Sequence, residues 1–105
     1  MTLQIDAQDN GTDYTIKISG EADYTSSPKL RHAIRKAPIR ENGTLSVDLS
    51  NLNYIDSSGL AALVEGRCQC ADNGVRFVLL SPSPSVVKVL EAVRLDSVFD
   101  IRSAM

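Results

Sequence analysis

At 105 residues, with 43 % apolar and 23 % charged side chains, the chain has the make-up of one globular domain built on a single core. A formal net charge of −2 gives no general attraction to nucleic acid or anionic membrane, and 5 % aromatic residues with no Trp is too few for a base-stacking surface. No apolar run is long enough to span a membrane, and Met1 to Asp6 lacks the basic start, apolar block and cleavage site of a secretory signal, so one cytoplasmic domain over residues 1–105 is expected.

Leu3, Ile5 and Ala7 alternate with Thr2, Gln4 and Asp6, and Tyr14, Ile16 and Ile18 with Thr15, Lys17 and Ser19, which predicts two half-buried strands. Asp9-Asn10-Gly11-Thr12 joins them as an antiparallel hairpin, Asn-Gly supplying the positive φ angles of a tight turn. After a polar loop from Gly20 to Ser26, Ser27 is expected to cap a helix with Pro28 at its first position. Leu30, Ala33, Ile34 and Ala37 form its inward stripe, and Pro38 stops it. Lys29, Arg31, His32, Arg35 and Lys36 occupy the other faces and, with no interleaved aromatics, read as a solvated surface rather than a nucleic-acid site.

Leu45, Val47 and Leu49 alternate with Ser46, Asp48 and Ser50 in a third strand about five residues long. Asn51 to Ile55 then carries the chain to a second helix, with Leu60, Leu63, Val64 and Ala71 inward and an end before Asp72-Asn73-Gly74. Cys68 and Cys70 project about 200° apart on this helix, so neither a disulfide nor a shared metal is expected. Val75, Phe77 and Leu79 mark a fourth strand; Ser83 caps and Pro84 opens a third helix with Val86, Val87, Leu90 and Val93 inward; Leu95 to Ile101 forms a last turn and a fringe strand.

Each β-α-β unit demands parallel strands, so strands two to four should be mutually parallel and strand one antiparallel at the edge of a mixed sheet of four to five strands. Strands one to three alternate cleanly, which puts the helices on one face of this α/β fold and leaves the other wet.

Asp56-Ser57-Ser58-Gly59 falls beyond the carboxyl end of the third strand, where open α/β sheets place ligand and partner sites. One reading is a well-capped helix start; the other is a presented hydroxyl, with Ser57 as cap and Ser58 exposed at the first helical position, among unpaired N–H groups that tolerate an anion. Gly59, lacking a side chain, would let another surface approach. A nucleophile elbow would need glycine where Asp56 stands, and His32, the single histidine, sits on a different helix, so a serine hydrolase is not expected. No phosphate-cradling glycine loop is present.

The run Tyr54 to Leu60, after the strand Leu45 to Ser50, resembles the signature of the STAS domain, specifically of bacterial anti-sigma factor antagonists. Ile18-Ser19-Gly20-Glu21-Ala22-Asp23 is similar to that family's segment after the second strand, and Val93 to Ile101 fits its tail. The resemblance implies a STAS-type fold and a non-enzymatic partner switch without cofactor. The unphosphorylated protein, a monomer when free, would bind a GHKL-type anti-sigma factor that is also a serine kinase; phosphorylation would release it and a PP2C-like phosphatase would reset it. Matched position by position, the resemblance implies Ser58 as phosphoacceptor, with Asp23, Asp56, Ser57, Ser58 and Gly59 at the partner surface. A STAS subunit regulating the ATPase of a lipid ABC transporter is the alternative, which the intact Asp-Ser-Ser-Gly argues against.

Overall fold

The computed structural model describes residues 3–38 and 40–103; the expected place of Thr2 in the first strand lies outside them. The elements are β1 (Leu3–Asn10), β2 (Asp13–Ala22), α1 (Ser27–Lys36), β3 (Thr44–Ile55), α2 (Ser57–Asp72), β4 (Arg76–Leu80), α3 (Pro84–Ala92) and β5 (Asp100–Arg102). The strands lie in chain order across one five-stranded sheet. β1 runs antiparallel to β2, and β2 to β5 are parallel, as the alternation of strands and helices requires.

Ile16 and Ile18 of β2, Leu45, Val47 and Leu49 of β3, and Phe77 and Leu79 of β4 share one core with Leu30 and Ile34 of α1, Leu60 and Leu63 of α2, and Val86 and Leu90 of α3. Burying one such side chain stabilises by about 1.5–3 kcal/mol, which binds all three helices to this face. Phe99, just before β5, closes the core against Phe77 with ring centroids 6.2 Å apart. On the opposite face Lys17 and Ser50 are exposed, and Val78 is buried outside that core.

Asn10 pairs with Asp13, so the hairpin turns on Gly11-Thr12 rather than Asn10-Gly11, with Gly11 at φ +88°. Asp9 Oδ1 accepts from the Gly11 N–H at 3.1 Å, and Arg40 grips the same carboxylate at 2.7 and 2.8 Å while donating to the Gly11 carbonyl. The Arg40 guanidinium beside it holds the Asp9 carboxyl below the usual carboxylate range.

The third strand is longer than its alternation indicates. Ser50 and Asn51 are both exposed, and pairing with β2 shifts register between Lys17 and Ser19 and again between Gly20 and Glu21, after which the strand continues to Ile55. Only Thr44 to Asp48 pairs with β4. Past that point the amino end of α3 flanks β3: the Ser83 N–H donates to the Leu49 carbonyl at 3.3 Å and its hydroxyl to the Leu52 carbonyl at 2.6 Å. Ser83 caps α3 as expected, accepting from the Val86 N–H.

The cap position of α1 falls one residue earlier than expected and carries no side-chain capping bond. Ser26 holds the cap position, Ser27 is the buried first helical residue and Pro28 the second. The cause is Asp23, whose side-chain Oδ1 takes the Ser26 N–H at 3.0 Å and whose carbonyl takes the Ser27 N–H at 2.7 Å. Two residues expected to face inward, Ala71 and Val93, are exposed, and Val64 and Val87 are half-buried. On α2 Leu60 and Leu63 are buried as expected, and the rest of the packed stripe is Gly59, Ala62, Gly66 and Cys70, small residues that let the helix approach closely. Cys68 is exposed and Cys70 buried, both free.

Candidate functional site

Because β3 runs to Ile55 without a loop, α2 begins directly at the strand's end and the cap falls on Asp56, not Ser57. Asp56 is extended, and its Oδ1 accepts from the Ser58 N–H at 2.9 Å and the Gly59 N–H at 3.2 Å. Its own N–H donates to the Ala22 carbonyl at 3.1 Å, tying the start of α2 to the end of β2.

This shift of one position exchanges the expected environments of the two serines. Ser57, the first helical residue, is exposed, whereas Ser58, the second, is half-buried. Neither hydroxyl makes a hydrogen bond among the described residues, so both are chemically available as acceptors of a transferred group. Two of the N–H groups at this helix start already belong to Asp56. An anion on either hydroxyl would meet the positive end of the helix dipole together with the Asp56 carboxylate.

Gly59 is not an opening for a partner. It is buried, and a Cβ there would stand 2.7 Å from Ile55 Cγ1, 2.9 Å from the Ala22 carbonyl oxygen and 3.0 Å from Ala22 Cβ. The surface that approaches its backbone is the chain's own β2 end.

Asp23 lies in the adjoining loop between β2 and α1, half-buried. Its Oδ1 accepts from Thr25 Oγ1 at 2.6 Å and from the N–H groups of Thr25 and Ser26, each at 3.0 Å. The Thr25 hydroxyl, followed by the Ser26 N–H, holds this carboxyl below its ordinary range. Ser26 completes the loop, its hydroxyl donating to the Glu21 carbonyl at 2.8 Å and accepting from the Asp23 N–H at 3.0 Å. The structure thus brings Asp23 and the Asp56-to-Gly59 segment to the same carboxyl edge through Ala22.

Two residues at this edge carry no signal in hydrophobic periodicity. Tyr24 is 75 % exposed in the loop, and Tyr54 is 48 % exposed at the end of β3, beside Glu21 in register. Glu21 Oε2 is enclosed there without a donor among the described residues. An aromatic residue in a short polar loop, and another in the exposed phase of a strand's last turn of alternation, were the available signals.

Three of the five residues on the basic face of α1, Lys29, Arg31 and Arg35, are internally committed. Arg35 pairs with Glu65 of α2 at 2.9 Å; Arg31 Nε stands 2.7 Å from the same carboxylate without hydrogen-bond alignment, an ion pair only; Lys29 donates to the Leu3 carbonyl at 2.7 Å. His32 lines a groove against β1 and β2, away from the start of α2. No helix among the described residues is long and apolar enough to cross a membrane.

The family model described as "Mlab, STAS domain" matches residues 5–102. The anti-sigma-B factor antagonist of Listeria monocytogenes is 26 % identical over 98 % of this chain and 91 % of its own length. An anti-sigma factor antagonist from Mycobacterium paratuberculosis has the same fold, with a TM-score of 0.81 at 22 % identity over 96 % of this chain and 86 % of that one. The Bacillus cell fate determinant SpoIIAA in its phosphorylated form also shares it, with a TM-score of 0.72 at 24 % identity over 99 % and 92 % of the two chains. Anti-sigma factor antagonists are non-catalytic regulatory proteins. The chain belongs to the STAS domain family, and its full-length curated relatives there are anti-sigma factor antagonists.

Proposed function

We propose that this protein is a cytoplasmic anti-sigma factor antagonist of a partner-switching pathway, which binds a GHKL-type anti-sigma factor and serine kinase when unphosphorylated and is released when Ser58 is phosphorylated. A PP2C-like phosphatase would restore the binding form. The observation that carries this reading is the unpartnered pair of hydroxyls at the start of α2, set beside an ordered acidic loop and two exposed tyrosines. Tyrosine is a preferred anchor of protein interfaces, because it adds large area for little lost conformational freedom. A relative solved in a phosphorylated form shares the fold, which supports a modification tolerated without unfolding.

Ser58 is preferred over Ser57 by the match to the family's second serine, whereas exposure alone favours Ser57. A phosphate adds about 1.5–2 negative charges next to the Asp56 carboxylate, so a partner docking on this edge would meet a hydrated anion and added volume where it needs a bare surface. The deciding experiment incubates the protein with its cognate kinase and ATP and maps the modified residue by mass spectrometry. Phosphate on Ser58, lost in Ser58→Ala and retained in Ser57→Ala, is the expected result. Phosphate on Ser57, or pull-down of a transporter ATPase in place of a GHKL kinase, would overturn it.

A further inference from the structure

We propose a second site, independent of the α2 edge: the groove between α1 and the β1–β2 hairpin binds a small carboxylate with an unbranched apolar tail. The groove exists because small residues oppose each other where a helix-on-sheet interface is normally filled. Ala33 on α1 faces the hairpin, and Ala7 on β1, in register with buried Ile16, lies on the core face of the sheet yet is exposed. Ile5 beside it is half-buried. Solvent therefore reaches the apolar face of the sheet in a cavity of about 240 Å³, a little below the usual range of ligand sites and of a size for a small molecule.

The charge around this groove has one sign. Lys29, His32 and Lys36 line it and no Asp or Glu does. The other cations of this region are committed, Arg31 and Arg35 to Glu65 and Arg40 to Asp9. Lys29 is held at the groove by its bond to the Leu3 carbonyl, with ammonium protons to spare, while Lys36 has no ion pair or hydrogen bond among the described residues. An apolar trough with a cationic rim selects an anion with an apolar body, and a fatty-acid-type carboxylate satisfies both.

The test titrates the isotope-labelled protein with sodium hexanoate, octanoate and decanoate below their micelle concentrations, following backbone amides by NMR. Saturable shifts confined to Ile5, Ala7, Ala33, Lys36 and their neighbours are expected, with affinity rising about fourfold per methylene until the groove is full. Lys36→Glu should weaken octanoate about tenfold. Ala33→Leu, which fills the trough, should abolish binding; Ala7→Leu serves the same purpose from the strand side should the helix variant misfold. Shifts spread over the chain without saturation, 1-octanol binding as tightly as octanoate, or undiminished binding by both filled variants would each overturn the proposal. Phosphorylation at the α2 edge is read separately and should be unchanged in the filled variants.

Discussion

Gly59→Ala tests whether the site is held in place by packing. The added Cβ would fall 2.7 Å from Ile55 Cγ1, 2.9 Å from the Ala22 carbonyl oxygen and 3.0 Å from Ala22 Cβ, all inside normal contact. The Ala22 oxygen decides the outcome, because it is backbone and accepts the Asp56 N–H, so it cannot yield without loosening the link between β2 and α2. Overpacking of this kind costs about 1–3 kcal/mol, against a gain of up to about 1 kcal/mol for alanine over glycine in a helix. The net loss is about 1 kcal/mol, or a fall in Tm of about 4–8 °C for a domain of this size. Gly66→Ala is the internal control. The three atoms nearest its Cβ would be side-chain ones, Ile34 Cγ2 at 2.8 Å and the Phe77 ring at 3.0 and 3.2 Å, which yield more readily than a bonded backbone carbonyl, so its loss should be smaller. Both variants are measured by thermal and urea unfolding with far-UV circular dichroism. A Gly59→Ala protein as stable as wild type, or more stable than Gly66→Ala, would refute the reasoning.

Asp56→Ala removes the cap of α2 and should destabilise by about 1 kcal/mol, while Ser57→Ala should change urea stability by a few tenths at most; equal effects would return the cap to Ser57. Cys68 should react with a thiol reagent in the native state and Cys70 only on unfolding, since burial pushes the Cys70 thiol up to about 11; mass mapping after brief alkylation reads the difference. The Asp9 carboxyl is held low by Arg40, so its stabilisation is complete above the unfolded value of 3.8 and is lost as the pH falls through the lower folded value; the urea midpoint of Asp9→Asn should vary less with pH in that acid window than wild type does. On the proposed function, Tyr24→Ala should weaken kinase binding at least tenfold in calorimetry with Tm unchanged, because the ring is 75 % exposed and makes no hydrogen bond or ring contact among the described residues.

The hairpin, the parallel core of the sheet, the third-helix cap at Ser83 and the fringe strand were legible because each rests on local chemistry: period-two alternation, a turn glycine, a serine before a proline. The errors have a common physical source. A β-bulge adds one residue and breaks the alternation, so at Ser50 and Asn51 a continuing strand reads as its end. Once the strand is cut short there, the run Asp56-Ser57-Ser58 has slack, and any of three good capping residues can take the role; with the strand running to Ile55, only Asp56 can. Leu60 and Leu63 of α2 were legible as inward, but the small residues of the same stripe were hidden for a different reason. Gly59, Ala62 and Gly66 are buried for their smallness, which no measure of apolarity registers. Asp23 came only from the family resemblance, and its work within the loop depends on Thr25 and Ser26 folding back on it, a geometry that spacing alone does not specify.

The same geometry constrains how a modification at the α2 edge could act. A switch that worked by moving the helix would need a start of α2 that is held weakly, and this one is held three ways: the Asp56 side chain on two N–H groups, its backbone on Ala22, and the close seat of Gly59 on the same residue. Releasing all three would cost more than the helix-terminus electrostatics of one phosphate can supply, a favourable dipole contribution of about 0.3–1 kcal/mol offset by repulsion from Asp56. The fold is therefore the fixed element and the surface the variable one. Ser58→Asp accordingly should leave the thermal transition within a few degrees of wild type while weakening the kinase complex; a variant that lost binding only by unfolding would show that the edge is a hinge rather than a platform.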